Sequence, residues 1–210
     1  MNRYGKLVAG LLSGWFLFAL AASALHLFLN PSQRVGIAVA IAAVAPIVIF
    51  SLWIAASPEF RRFTLSLSPR ALTAIHASRV LPGLVFVILG ARAVLPEAFA
   101  HSAGYGDIAI GLTAPLVALW LATPRHLLSF IGWQLLGIAD LVTAVALGVT
   151  APLLVPAGPT MLAMTVLPLS LVPTFAVPLL LILHVIAIAQ ARSWQSASAG
   201  APHAAALSRS

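Results

Sequence analysis

Six of the polar side chains inside the long apolar stretches of this sequence could do chemistry, since an uncompensated charge or amide is costly there. They are Arg79, Asp140, His184, His76, Gln134 and Asp107. An Arg or Asp at the centre of a membrane-spanning helix costs roughly 2.5–3.5 kcal/mol on insertion scales. Each of these groups therefore needs a partner, a water-filled cavity or a function, and the six are the candidate ligand-binding residues of the chain.

Helix rise predicts that several of these side chains share one level. Arg79, Gln134 and His184 each lie eight residues from the predicted inner end of a helix, which is roughly 12 Å along the axis. His76 lies one turn from Arg79 on the same helical face. The four side chains are predicted to form an inner polar layer. Arg79 either belongs to this layer or extends to lipid phosphates at the inner surface.

Asp140 lies further along its helix, within LLGIADLVTAVALG (135–148), at roughly 21 Å from the inner end. The predicted heights of Arg79 and Asp140 differ by about 9 Å, and helical side chains point towards their own N-terminus. We therefore expect water or His184 to bridge the two groups, instead of a direct ion pair. Two interpretations of Asp140 stay open. It is either an acid that responds to a proton, cation or ligand, or a structural residue that links helices by hydrogen bonding to a polar neighbour.

Asp107 has a simpler interpretation. It follows HSAGYG near the predicted start of a helix, where a carboxylate satisfies free N–H groups and the helix dipole. The sequence therefore favours a helix cap. The alternative is an outer cation site with His101 and Glu97, although their spacing matches no recognised metal motif.

His76 and His184 suggest a redox alternative. A haem b held by two histidines needs imidazoles from two helices at matching depth, and this pair is predicted to differ by about one turn. A hydrogen-bonded interhelical histidine is the competing interpretation. Cysteine is absent, and there is no zinc, phosphate-loop or nucleophile-elbow motif. An enzyme is therefore the least favoured class.

The composition predicts the elements that position these residues. Hydrophobic residues make up 61% of the 210 residues and charged residues only 7%, against roughly 25% charged in soluble domains. This predicts an integral membrane protein of the all-α class. The net charge of +7 comes from basic residues spread singly through short connections, so a nucleic-acid partner is not expected.

Six apolar runs are long enough to cross a bilayer, which takes about 20 residues. Together they form one predicted transmembrane domain over residues 1–192. The runs are 7–29, 35–56, 71–95, 105–122, 126–150 and 173–191. Prolines cut the intervening residues 151–172, which are predicted to be interfacial or re-entrant. The small polar residues 193–210 predict a disordered tail.

Basic residues in short loops predict the orientation, because they accumulate on the cytoplasmic side. One side collects Arg3, Lys6, Arg61, Arg62, Arg70, Arg125, Arg192 and Arg209. The other side has Arg34 and Arg92. With six spans, both termini are predicted to be cytoplasmic.

The chain resembles a group of small, uncharacterised bacterial membrane proteins with six helices. The likeness rests on IHASRVLPG (75–83), LPEAFAHSAGYGDIAIGLTAP (95–115), GIADLVTAVALG (137–148) and LVPTFAVPLLLILH (171–184). The resemblance implies a bacterial inner-membrane location and supplies no activity. It implies one constellation made of Arg79, Asp107, Asp140 and His184. It also implies a glutamine where this chain has His76.

The leading prediction is a protein that binds or translocates a small molecule or ion through a polar site inside the helix bundle. The first alternative is a redox subunit that binds haem b or a quinone through His76 and His184. The second is a non-catalytic subunit of a larger membrane complex. The expected partners are the lipid bilayer, the ligand, and either another membrane protein or further copies of this chain.

Overall fold

The apolar runs form helices in the computed structural model, which describes residues 3–30, 35–155 and 157–207. We number the helices α1 (Arg3–Ala24), α2 (Ile37–Ala56), α3 (Pro58–Leu65), α4 (Pro69–Ala91), α5 (Glu97–Trp120), α6 (Leu127–Leu154) and α7 (Val177–Leu207). Within the described residues there is no strand, and all of these helices except α3 belong to segments long and apolar enough to cross a membrane. The predicted all-α class and its six long apolar helices are confirmed.

Helix α4 is built from three pieces with a tighter turn in the middle. A 3₁₀ turn, His76–Arg79, separates the α-helical pieces Pro69–Ile75 and Val80–Ala91. Pro82 follows closely, and its missing N–H cannot bond the carbonyl group of Ser78. Both His76 and Arg79 are buried on this turn, so the irregular part of α4 carries its two ionisable side chains into the bundle.

Glycines hold α4 and α5 in close contact. A Cβ on Gly83 would lie 2.8 Å from the carbonyl oxygen of Gly104, and one on Gly104 would lie 3.0 Å from the carbonyl oxygen of Gly83. A Cβ on Gly111 would lie 2.8 Å from the backbone nitrogen of Val80. Small residues allow helix backbones to approach in this way. The contact places Arg79 of α4 opposite the middle of α5.

Helix α5 begins at Glu97, eight residues before the predicted start at 105. Its acidic first residue suits the positive end of the helix dipole. Gly104 and Gly106, which precede Asp107, are helical residues packed against neighbouring helices. The predicted boundary was therefore wrong because these glycines serve packing.

The proline-rich segment 155–171 connects α6 to α7 without forming a long helix. It contains a 3₁₀ turn, Leu162–Thr165, and is followed by a π turn, Val172–Ala176, that leads into α7. Met161 and Met164 are buried in a core cluster with Phe86 and Phe99. Residues 151–154 belong to α6. The bundle thus covers much of this segment, and its interfacial or re-entrant position remains a prediction.

Helix α1 is attached to this segment by two hydrogen bonds. The Trp15 indole N–H donates to the carbonyl oxygen of Thr174 at 3.2 Å, a group that Pro178 cannot bond because it has no N–H. The Ser170 hydroxyl donates to that of Ser23 at 2.8 Å. Trp15 therefore replaces a helical hydrogen bond that proline removes from the start of α7.

Helix α7 is described as far as Leu207. The disorder predicted for residues 193–210 stays a prediction. Several predictions concern positions outside the described residues, namely Arg34, the proline at position 156, and the last three residues of the tail, which include Arg209.

Candidate functional site

Arg79 of α4 is the centre of a buried ion triad. Its Nε donates to Asp107 Oδ1 of α5 at 2.6 Å, and its Nη2 pairs with Asp140 Oδ2 of α6. A third nitrogen, Nη1, lies 3.5 Å from the carbonyl oxygen of Gly137. The Arg79 side chain is 1% exposed. The planar guanidinium thus joins three helices through two carboxylates.

The Asp140 carboxylate lies directly against a glycine of α5. A Cβ on Gly106 would be 1.6 Å from Asp140 Oδ1 and 2.6 Å from its Cγ, far inside any permitted contact. Only glycine at position 106 leaves room for the carboxylate beside Arg79. The position of Asp140 is therefore set by the α5 backbone as well as by its ion pair.

The triad carries two acids and one base. With both carboxylates ionised it would hold one excess negative charge in a mostly buried place, which is costly unless a proton or cation compensates it. The two acidic side chains are 10% and 16% exposed, respectively, for Asp107 and Asp140. The arrangement is chemically suited to taking up a positive charge.

A second polar group runs from the start of α4 to α7. The Thr73 hydroxyl donates to the carbonyl oxygen of Pro69 at 2.8 Å, and it accepts from Gln134 Nε2 at 3.1 Å. Gln134 Oε1 therefore accepts from His184 Nδ1, 2.5 Å away. This chain of bonds fixes the proton of neutral His184 on Nδ1 and leaves Nε2 as a bare acceptor.

The two buried histidines stack on each other. Their ring centroids are 3.8 Å apart with planes 23° from parallel, and Trp133 packs edge-on against His76 at 5.9 Å. Among the described residues, His76 Nδ1, His76 Nε2 and His184 Nε2 are buried without a hydrogen-bond partner. Such groups require an explanation, and three polar atoms close together are suited to internal water.

Gly137 links the two polar groups. A Cβ at this position would lie 2.3 Å from His184 Cε1 and 2.4 Å from its Nε2. The same residue presents its carbonyl oxygen to Arg79. The imidazole of His184 thus covers the α6 backbone one turn before Asp140.

The stacked histidines do not fit a haem. A haem held by two histidines needs the iron and the porphyrin between the imidazoles, each bonded through a ring nitrogen. Here the His76 and His184 rings contact each other face to face at 3.8 Å, which leaves no space for a macrocycle. Among the described residues, no group of three or more His, Asp or Glu side chains could hold a metal ion.

The expectation that Arg79 and Asp140 would not pair directly was wrong. Two contacts give the register of the parallel helices α4 and α6: Thr73 meets Gln134, and Arg79 meets Asp140, each pair 61 positions apart. The prediction had placed Arg79 level with Gln134, which lies only 55 positions further along the chain. The discrepancy of six residues corresponds to about 9 Å of helix rise, which is the predicted gap in height.

The single predicted inner layer is therefore two layers. Gln134, His184 and His76 lie together with Thr73, whereas Arg79 lies in the next layer with both aspartates. Snorkelling of Arg79 to lipid phosphates, one of the two open interpretations, does not occur.

Asp107 is not a helix cap. It is the eleventh residue of α5, and its carboxylate is bonded to Arg79. The proposed outer cation site does not include it either. His101 and Glu97 form an exposed pair one turn apart, with Nδ1 and Oε1 3.5 Å from each other.

A partly open cavity of about 340 Å³ lies beside the triad. It is bounded by α4, by the π turn, by neighbouring residues of segment 155–171 and α7, and by one residue each of α5 and α6. Its polar lining comprises Ser78, Arg79 and Asp107. The remaining lining residues are apolar: Leu81, Pro82, Val85, Leu141, Pro168, Leu169, Val172, Ala176, Val177 and Leu180.

Sequence reasoning missed Thr73, Gly106 and Gly137. Thr73 looked like an ordinary helical threonine, and its role appears only once the register of α4 and α6 is known. The two glycines could have been noticed as helix-interior glycines that helix propensity alone disfavours by about 1 kcal/mol. Glycine in such a position indicates close approach of another group.

The described part of the chain defines an all-helical protein, with six apolar segments long enough to cross a membrane and a buried ion triad between three of them. The chain belongs to the family described as Domain of unknown function (DUF8737), whose model matches residues 34–192. The match includes the triad and both stacked histidines, and it leaves α1 outside. Neither a curated protein nor a solved structure matches the chain.

Proposed function

We propose that this is a multi-pass protein of a bacterial inner membrane, with both termini in the cytoplasm, that binds or translocates a small molecule or ion inside its helix bundle. The observation that supports the proposal is the ion triad, in which one buried arginine serves two carboxylates. With both acids ionised, the second carboxylate leaves one negative charge that Arg79 does not neutralise. The extra carboxylate is the group that a ligand's positive charge, or a proton, would engage.

A proton or inorganic cation is expected to act on the network through Asp140. Its side chain is more exposed than that of Asp107, and its contact with Arg79 holds α4 and α6 in register. Binding of a cation near Asp140 weakens the attraction between its carboxylate and the guanidinium. Gly137 adjoins both Arg79 and His184, so a shift of α6 would reach the histidine pair.

The test compares thermal unfolding of purified protein in lipid nanodiscs while pH and cation are varied at constant ionic strength. Sodium, potassium and magnesium are compared with N-methylglucamine, which is too large for a dehydrated ion site and too polar for the neighbouring apolar cavity. We expect the unfolding midpoint of the wild type to rise with a proton or one of these cations. We expect Asp140→Asn to fold and to lose that response.

Glu97→Gln is the matched control, because it removes one acidic charge from a side chain that is 80% exposed. It should keep the wild-type response. Asp107→Asn provides a second triad variant if Asp140→Asn does not fold. An unchanged response in both triad variants contradicts the proposal, as does a wild type that responds to neither pH nor cation. Flux into proteoliposomes distinguishes translocation from binding alone.

The alternative of a subunit in a larger complex rests on α1 and α2. In the most apolar window of each, only 17% and 6% of the residues, respectively, are buried. Lipid or another protein could cover these surfaces. Stoichiometric co-purification of a second membrane protein would support the subunit alternative.

A further inference from the structure

The cavity beside the triad has one polar end and otherwise apolar walls. Arg79 and Asp107 form the polar end and are 1% and 7% exposed. Ser78 lies next to them, and Pro82 cannot donate a helical bond to its carbonyl group. A guest in this cavity would therefore be surrounded by apolar side chains, except at one end, where it would contact hydrogen-bond acceptors and charged groups.

The mouth of the cavity lies halfway along α4. Leu81, which is 70% exposed, is the thirteenth of the 23 residues from Pro69 to Ala91. Pro168, on the opposite side of the mouth, is also exposed. In a membrane, a mouth at this height opens towards lipid chains, since it is far from either aqueous surface. A guest would enter sideways from the bilayer.

The wall opposite α4 is formed by irregular backbone. The π turn Val172–Ala176 and the preceding residues Pro168 and Leu169 contribute this side. Turns of this kind are frequently found at functional sites. The cavity thus lies where the bundle departs from regular helix on both sides, at the 3₁₀ turn of α4 and at this π turn.

Volume and charge define the class of guest. About 340 Å³ is far more than one dehydrated ion needs, and it falls within the roughly 300–1,000 Å³ of small-molecule pockets. The Arg79 guanidinium is already bonded to both carboxylates and to a carbonyl oxygen, so an anionic head would meet an excess of negative charge. A cationic head would form charge-assisted bonds with the carboxylate oxygens.

Resting on the proposed function, we infer that the ligand is a lipid-soluble amine, with one ammonium group on an apolar body, that reaches Asp107 through the mouth at Leu81. The ammonium group replaces the proton or inorganic cation at the triad. The apolar body occupies the part of the cavity lined by Val85, Leu141 and Leu180.

The experiment measures thermal unfolding in nanodiscs of zwitterionic lipid with three probes of equal chain length: octylammonium, octanol and octanoate. Only octylammonium should raise the wild-type midpoint in a saturable manner. Leu81→Trp narrows the mouth without entering the core and should weaken octylammonium binding at least tenfold. The matched control is Leu84→Trp, at a 48% exposed position of the same helix that does not line the cavity. It should bind like the wild type.

The outcomes separate this inference from the proposed function. If octylammonium acts no better than octanol, or octanoate acts best, the inference is wrong. It is also wrong if Leu81→Trp and Leu84→Trp bind octylammonium equally. Since Leu81→Trp leaves the triad intact, its response to pH and inorganic cations should persist. If octylammonium does not bind, that response and its dependence on Asp140 would still support the proposed function.

Discussion

Replacement of Gly106 by alanine tests the geometry of the triad most directly. The added Cβ would lie 1.6 Å from Asp140 Oδ1 and 2.6 Å from Cγ. Ordinary contacts of this kind are near 3.4 Å or longer, so the carboxylate must move by roughly 2 Å, which exceeds the tolerance of a hydrogen bond. Gly106→Ala should therefore detach Asp140 from Arg79 while keeping every charged residue.

The expected loss of stability depends on the interactions that Arg79 and Asp140 keep after the substitution. Breaking a buried ion pair by loss of one partner costs about 3–5 kcal/mol. Arg79 keeps Asp107, and the Asp140 side chain is 16% exposed, so the lower end applies. Alanine gains roughly 0.5–1 kcal/mol over glycine inside a helix. We expect Gly106→Ala to lower the free energy of unfolding by about 2–3 kcal/mol.

The assay is unfolding in mixed micelles of a mild detergent and sodium dodecyl sulfate, followed by tryptophan fluorescence. Gly132→Ala is the control, because a Cβ there would meet nothing within 4 Å. It should be neutral or slightly stabilising. In an Asp140→Ala background the clash is gone, so Gly106→Ala should behave like the control, giving a coupling energy of about 2 kcal/mol or more.

Two results would refute this reasoning. One is a Gly106→Ala protein as stable as Gly132→Ala, which would mean that the carboxylate is not seated against α5. The other is an equal cost of Gly106→Ala with and without the Asp140 carboxylate, which would mean that the damage does not arise from contact with Asp140.

Three further predictions concern the histidine layer and its surroundings, and the same unfolding assay checks them. Gly137→Ala should lower the free energy of unfolding by about 2 kcal/mol or more, because its Cβ would lie 2.3 Å from the His184 ring. This loss should vanish in a His184→Ala background. A loss that persists there would contradict the assigned contact. Gln134→Leu should lower stability by about 2 kcal/mol or more, since it leaves a buried hydroxyl and an imidazole N–H without their partner; a neutral effect would argue against the bonded chain. Thr113→Val removes the acceptor 3.0 Å from the Trp133 indole N–H and should cost about 1 kcal/mol with a shift in fluorescence emission, and an unchanged spectrum would speak against that bond.

Hydropathy was sufficient to find the helices but not their relative heights. Each long apolar helix of the structure corresponds to a predicted run. The prediction took Ala71 and His126 as equivalent inner ends, whereas the observed register of 61 places Ala71 level with residue 132. Helix α6 therefore extends beyond the start of α4. No local feature of the sequence encodes this offset, because it results from side-chain packing between helices that are not consecutive.

The polar residues of the site could be named from the sequence, while their pairing could not. The free-energy cost of placing a charged side chain in an apolar segment was enough to identify Arg79, Asp107 and Asp140. Their pairing required two facts invisible in hydropathy: α5 begins at Glu97, which puts Asp107 in mid-helix, and glycines let α4 and α5 approach closely. Whether the six candidate residues bind a ligand stays a prediction.

The bonds of α1 have a consequence for synthesis of the chain. Trp15 and Ser23 bond residues 159 and 147 positions further along, respectively. At about 5–20 residues per second, ribosomes need roughly 10–30 s to produce those partners after α1 has been made. During that interval the indole N–H and the hydroxyl must be satisfied by lipid, water or an insertion factor. Helix α1, which lies outside the family match, therefore acquires these two hydrogen bonds long after it has been made, whereas its contacts with α2 and α3 can form earlier.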